Sequence, residues 1–215
     1  MKFKDRRHAG KLLAEKLTAY RGKNPLILAL PRGGVVVAEP IWDFTGGDLD
    51  LIITRKIGAP YQEELAIGAV TGDGFVLLNH KLAEQLGVSP SFIERAAASE
   101  QAEIQRRLTL YRGQRPYPSL KGRVVIVVDD GVATGFTVKA ALQSLQRHEP
   151  AELVLAVPVG PPETLRELQA EVDRLYCLES PAWFAAVGQF YDDFRQLDDA
   201  QVIQIMNRAF AGLTE

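Results

Sequence analysis

Five short, unbroken apolar runs, each closed by glycine, proline or acid, constrain this chain more than any other feature. They are PLILALPRGG (25–34), DLDLIITRKIGAP (48–60), RVVIVVDDGVATG (123–135), AELVLAVPVGPP (151–162) and RLYCLES (174–180). Alternating patterns mark strands with one wet face, whereas continuous β-branched runs mark strands covered on both faces, as in a parallel sheet. Helical patterns follow two of them, TVKAALQSLQRH (137–148) and ETLRELQAEV (163–172). The order predicts an α/β, doubly wound fold with a mainly parallel sheet. At 215 residues, 47% of them hydrophobic, the chain suffices for a single domain over 1–215 with a sizeable core.

The first residues, MKFKDRRHAGKLLAEKL, are basic but lack the apolar stretch of a signal peptide. They predict an amphipathic helix capped by Asp5, with Ala9, Leu12, Leu13 and Leu17 on one face. No apolar run approaches membrane-spanning length, so a soluble, cytoplasmic protein without membrane partners is expected. The net charge of −2 supplies no global field to recruit nucleic acid. Cys177 is the only cysteine, which excludes an internal disulfide and reads as a small core residue. His8, His80 and His148 lack metal-ligand spacing, so no structural metal site is expected.

Residues 57–122 break the strand–helix rhythm. AIGAVTGDGFVLLN (66–79) alternates around Gly-Asp-Gly and predicts a hairpin, and SPSFIERAAASEQAEIQRRLTLYRG (89–113) predicts a long helix starting at Ser89 and Pro90. No buried strand comparable to the five runs is expected here. The insertion is a candidate lid, although an ordinary surface excursion fits the pattern comparably.

Ligands of open α/β sheets bind beyond the carboxyl ends of the strands, and three strand ends here carry unusual chemistry. In VVIVVDDGVATGFT (124–137), Gly131, Thr134, Gly135 and Thr137 form a loop running into a helix N-terminus. Free backbone N–H groups and the helix dipole favour an anion there, and a phosphate monoester fits such a nest. The adjacent Asp129 and Asp130 would repel that phosphate. They suit a vicinal diol instead, directly or through the hydration shell of Mg²⁺. A 5-phosphorylated ribose carries both features. The bland alternative is that the acids cap the next turn. The second strand end, Arg32-Gly33-Gly34, offers a cation and a close-approach backbone, although such a string is commonly only a turn. The third, Arg55 and Lys56, reads either as an anion contact or as a solvated charge pair.

VVIVVDDGVATGFT resembles the phosphoribosyl pyrophosphate (PRPP) signature of the type I phosphoribosyltransferases. The resemblance implies transfer of the 5-phosphoribosyl group from PRPP to a nitrogenous acceptor, with Mg²⁺ as cofactor and release of pyrophosphate. It implies that Asp129 and Asp130 hold the ribose, and the metal indirectly. Gly131, Ala133, Thr134, Gly135, Phe136 and Thr137 would wrap the 5-phosphate. Arg32, Gly33, Gly34, Arg55 and Lys56 would address the pyrophosphate, with Arg32, Lys56, Asp129 and Asp130 carrying catalysis. The 57–122 insertion would be the family's closing loop. Glu63, Glu64, Arg112 and Arg115 are candidate loop contacts without assigned roles. Residues 179–215 would form a small hood, whose Trp183, Phe184, Phe190 and Tyr191 either stack the acceptor base or simply pack; Asp192 and Asp193 could read base or metal. The likeness leaves room for a homodimer. It departs at Ala133, where the 6-oxopurine enzymes usually carry a third acid, which makes hypoxanthine or guanine a poorer expectation. The tight dimer loop of orotate enzymes is also missing.

A PRPP-binding regulator without turnover is the rival from another class, and the near-neutral charge weighs against a nucleic-acid target. A receiver-like domain would use an acid pair after an apolar strand but leaves Thr-Gly-Phe-Thr unexplained.

Overall fold

The computed structural model describes residues 2–211. Five strands form a wholly parallel sheet in the order β2-β1-β6-β7-β8. They are β1 (Leu26–Ala29), β2 (Asp48–Leu51), β6 (Val124–Val128), β7 (Glu152–Val159) and β8 (Arg174–Glu179). All four residues of β1 and seven of eight in β7 are buried, as unbroken apolar runs require. Successive side chains leave opposite faces of the sheet. Ile27, Ala29, Ile126, Val128, Val154 and Ala156 share one apolar layer with residues of α1 (Arg6–Lys16), α2 (Gly33–Thr45) and α7 (Asp199–Ala211). Leu26, Leu28, Val125, Val127, Leu153 and Leu155 meet α5 (Phe136–Gln146) and α6 (Pro162–Gln169) on the other.

The expected N-terminal helix is α1. Asp5 caps it by accepting from the His8 N–H at 2.8 Å, and Ala9, Leu13 and Leu17 are buried. Cys177 lies in edge strand β8, half-buried, with its thiol pushed up to about 11 by burial.

The insertion corrects two expectations. DLDLIITRKIGAP is not one strand. It ends β2 at Leu51, makes one further sheet bond from Ile52 N–H to the Ala29 carbonyl, and re-forms as β3 (Thr54–Ala59). β3 belongs to a separate three-stranded antiparallel sheet with β4 (Gln62–Thr71) and β5 (Val76–Leu78). β4 is also the buried strand that the pattern hid. Its last five residues are buried, while its first four, Gln62–Leu65, are exposed, and register shifts on either side of Gly58 interrupt its pairing with β3. The hairpin around Gly-Asp-Gly is present as β4–β5. α3 (His80–Gln85) follows, and the long helix is α4 (Pro90–Arg112), capped where Ser89 Oγ accepts from Phe92 N–H. α4 buries Ala97, Ile104 and Tyr111 in the same core as α7, which ties the insertion to the C-terminal helix.

Candidate functional site

β1 and β6 are neighbours in register, with Ala29 opposite Val128, so the loops leaving them start side by side. Leu30 N–H donates to the Val128 carbonyl at 2.9 Å, which continues the pairing one residue into the loop. Beyond it, the Pro31–Arg32 peptide is cis and α2 begins at Gly33. A side-chain carbon at Gly33 would fall 1.8 Å from Asp130 Oδ2; at Gly34 it would fall 2.6 Å from the Val128 carbonyl oxygen. Only glycine lets this turn lie directly on the acid pair.

Past the acids, Val132 N–H donates to the Val159 carbonyl and Thr164 Oγ1 donates to the Ala133 carbonyl at 2.8 Å. The loop is thereby held to β7 and α6. Gly135 adopts a left-handed φ of 70° at the N-cap of α5. Among the described residues, the N–H groups of Ala133, Thr134, Gly135, Phe136 and Thr137 have no hydrogen-bond acceptor. Five free donors at the start of a helix, with Ala133 and Thr134 exposed, form a nest suited to an anion.

The acid pair is electrostatically loaded. Asp129 Oδ1 accepts from the Asp130 N–H at 2.8 Å, and Asp130 Oδ2 accepts from Arg6 Nε at 2.7 Å. Burial, and then the neighbouring Asp130, hold Asp129 well above the usual carboxylate range. Burial also raises Asp130, and Arg6 pulls it partly back. Two confined carboxylates therefore share one guanidinium, which leaves an excess of negative charge that a cation or hydroxyl donors would relieve. Among the described residues no group of three or more His, Cys, Asp or Glu could hold a metal by itself. The donor set fits a hard cation that keeps most of its shell from water and substrate oxygens.

Arg6 was missed by the sequence reading. It opens α1, and it is buried with its Nη1 donating to the Arg195 carbonyl and its guanidinium 3.8 Å above the Phe194 ring. Phe194 and Arg195 thus reach the acid pair through Arg6 of the N-terminal helix. Tyr191 reaches it directly, donating from Oη to the Asp130 carbonyl at 2.6 Å. Its ring is buried, 5.3 Å from Phe3 and 5.0 Å from Phe194, so it is a wall of the site and offers no face for a base. Phe3 N–H donates to the Phe190 carbonyl and Asp192 N–H returns to the Phe3 carbonyl, which pins this segment. Phe184 and Phe190 stack on each other at 5.3 Å, and Trp183 is 91% exposed. Asp192 pairs with Lys2 and Asp193 with Arg195 at the surface, so neither is aimed at the acid pair.

The cations of the other two strand ends are placed differently. Arg32 leaves the β1 loop with Nη1 3.6 Å from Asp199 Oδ1, at the start of α7. Arg55 pairs with Glu100 of α4 at 2.6 Å, and Lys56 is exposed beside it on β3. They belong to the hairpin, not to a parallel-strand end. Glu63 and Glu64 are exposed on β4. Arg112 is no loop contact: it is buried and doubly bonded to Asp50, at 2.6 and 2.8 Å, with its remaining donors on the carbonyls of Arg115 and Pro116. Arg115 lies 4.5 Å over Phe210. Among the described residues no helix is long and apolar enough to cross a membrane.

Comparison with known proteins supplies the family. The chain is 38% identical over 213 residues to two Mycobacterium tuberculosis proteins, each named "Putative phosphoribosyl transferase", covering 99% of this chain and 48% of theirs. It therefore spans about half the length of these relatives. The solved structure of TT1426 from Thermus thermophilus is 42% identical, covers 97% of this chain and 99% of that one, and superposes with a TM-score of 0.83. The family model for the phosphoribosyl transferase domain matches residues 52–195, which include the acid pair, the free amides and the aromatic stretch up to Phe194. The chain belongs to the phosphoribosyl transferase domain family.

Proposed function

We propose that the protein transfers the 5-phosphoribosyl group of PRPP to a nitrogenous acceptor, a reaction for which Asp129 and Asp130 would hold Mg²⁺. The observation that carries this reading is the juxtaposition of five free amides at the start of α5 with two confined, charge-excess carboxylates. The amides receive the 5-phosphate, and Thr134 and Thr137 add hydroxyl donors. Asp129 and Asp130 accept from the ribose hydroxyls and, through water, hold the metal. Mg²⁺ supplies charge neutralisation for the leaving pyrophosphate.

The acceptor nitrogen bonds to the anomeric carbon as the carbon–oxygen bond to pyrophosphate breaks, with inversion. Pyrophosphate leaves with the bonding pair, and the proton displaced from the acceptor nitrogen passes to solvent. Arg32 stabilises the charge gathering on pyrophosphate, with Lys56 as a second cation, and the exposed tip of the β3–β4 hairpin, Gln62–Leu65, closes over the site. Water is excluded at that point, which protects a ribosyl cation-like state from hydrolysis. The acceptor lies under Trp183 and Phe184. Ala133 in place of an acid favours acceptors other than hypoxanthine and guanine.

The test is pyrophosphate release from PRPP and Mg²⁺ across a panel of purines, pyrimidines and small amines. The Asp129→Asn, Asp130→Asn double variant is the blank. Release stimulated by one acceptor and lost in the blank supports transfer. PRPP binding by calorimetry without release under any acceptor replaces transfer with a sensing role. Absence of binding overturns the reading of the nest.

A further inference from the structure

Arg32 faces an anion that the chain itself supplies. Asp199 stands at the first position of α7, where a helix N-terminus favours a carboxylate, and the buried Tyr111 of α4 donates its hydroxyl to Asp199 Oδ1 at 2.5 Å. Tyr111 first, and Arg32 after it, hold the Asp199 carboxyl below its usual range, so it is charged at neutral pH. Arg32 Nη1 approaches the same oxygen only to 3.6 Å. That distance is too long for a hydrogen bond, and the two side chains are 32% and 44% exposed. The carboxylate is thus held by Tyr111 at the start of α7, while the cation rests against it loosely and can leave.

We propose that Asp199 is an internal competitor for the pyrophosphate-binding cation: Arg32 exchanges between Asp199 and the pyrophosphate group of the ligand. This rests on the reading of Arg32 as a pyrophosphate contact. A phosphate group offers Arg32 two short, charge-assisted bonds in place of one long contact, so the ligand wins the exchange when it is bound. When the carbon–oxygen bond has broken and pyrophosphate begins to leave, the tethered carboxylate is already at high effective concentration and recaptures the guanidinium. Pyrophosphate is a product whose tight retention would stall turnover, and Asp199 weakens it without weakening the 5-phosphate nest on the far side of the acid pair. An anchoring role for Asp199 predicts the opposite sign, since removing an anchor would loosen Arg32 and weaken the ligand.

The experiment is calorimetric titration of inorganic pyrophosphate with Mg²⁺ into the full chain, with circular dichroism confirming the fold of each variant. Asp199→Asn keeps the shape and the acceptor for Tyr111 but removes the charge, and should tighten pyrophosphate about fivefold, the scale of one unit charge acting through water over several ångströms. Asp199→Glu should restore the weaker affinity. In the Arg32→Ala background, Asp199→Asn should change nothing, because the cation competed for is gone. Unchanged or weaker binding by Asp199→Asn overturns the proposal, as does equal tightening with and without Arg32, which would mean general repulsion. If Arg32→Ala by itself leaves pyrophosphate affinity intact, the reading of Arg32 fails and the competitor role falls with it.

Discussion

Replacing Arg6 by glutamine tests the electrostatic picture of the acid pair most directly. Arg6 and Asp130 are only 10% and 16% exposed at the side chain, and their 2.7 Å bond joins α1 to the end of β6. Removing one partner of a buried ion pair costs roughly 3–5 kcal/mol when the other must stay charged. At about 2–4 °C per kcal/mol for a chain of this size, the lower figure alone gives a fall in Tm of about 6–12 °C near pH 8. The loss must depend on pH. Burial raises Asp130 even with Arg6 present, so without the guanidinium its folded-state value rises further. A carboxyl raised in the folded state contributes its stability fully below the unfolded value, near 4, and loses it as pH rises through the folded value. The deficit of Arg6→Gln should therefore shrink as pH falls from 8, because a raised Asp130 can take a proton instead of carrying an unpaired charge. Arg6→Gln with Asp130→Asn should recover most of the deficit at pH 8. Thermal unfolding followed by circular dichroism at pH 5 and pH 8 is the assay. A deficit that is the same at both pH values, or that the double variant does not relieve, would show that Arg6 matters only through packing on Phe194.

Other substitutions read the site from different sides. Asp129→Asn keeps the acceptor for the Asp130 N–H and removes a carboxylate that burial and its neighbour hold above its usual range. It should raise Tm by a few degrees at pH 8, the corresponding gain vanishing at low pH, while PRPP binding by calorimetry is lost. Gly33→Ala puts a methyl group 1.8 Å from Asp130 Oδ2, and should cost about 1–3 kcal/mol in chemical denaturation together with most of the activity. Arg112→Leu strands Asp50 in the core and should lower stability by about 3–5 kcal/mol, yet leave the turnover of the folded fraction near wild type because the hydrogen bonds of Arg112 go to Asp50, Arg115 and Pro116 and not to the acid pair. Arg32→Ala should slow pyrophosphate release about a hundredfold in steady-state kinetics with Tm within a degree or two of wild type.

The parts of the site that were legible in the sequence are those made by consecutive residues. Strand, acid pair, glycine and helix start lie within 124–137, and each step has a local cause: β-branched packing, carboxylate placement, a left-handed glycine, helix capping. The partners of that segment were not legible. Arg6 lies 124 residues from Asp130 and Tyr191 lies 61, and nothing near either residue marks it as a neighbour of the acids. Asp5 as a helix cap made Arg6 look like an ordinary charge of a first turn. Tyr191 sat in an aromatic cluster whose composition suits base stacking as well as packing. The insertion misled for another reason. The break between β2 and β3 falls at Ile52 and Ile53, where no glycine or proline interrupts the apolar run. β4 opens on exposed Gln62, Glu63 and Glu64 and includes Gly68, so its buried half carried too few residues to register as a strand.

The two contacts missed by local reading, from Arg6 and from Tyr191, explain why so unfavourable an acid pair persists. Residues near the N-terminus and at 191–194 converge on Asp130 from outside the loop that carries it: Arg6 on its carboxylate, Tyr191 on its carbonyl, and Phe194 beneath the guanidinium. None of these contacts neutralises Asp129, whose raised state is a standing cost of the free protein. A ligand that brings a metal and hydroxyl donors removes that cost on binding, so ligand-linked stabilisation should exceed what the phosphate contacts alone supply. The linkage gives a number to check: at a free ligand concentration a hundred times Kd, stabilisation reaches about 2.7 kcal/mol, or roughly 5–11 °C here. PRPP with Mg²⁺ should produce that shift in the wild type. Ribose 5-phosphate, which keeps the phosphate and hydroxyls but lacks the pyrophosphate, should give a smaller one at equal concentration. In Asp129→Asn the shift from both should collapse although the amide nest is untouched. A full shift retained in that variant would place the binding energy in the nest alone and remove the acid pair from the site.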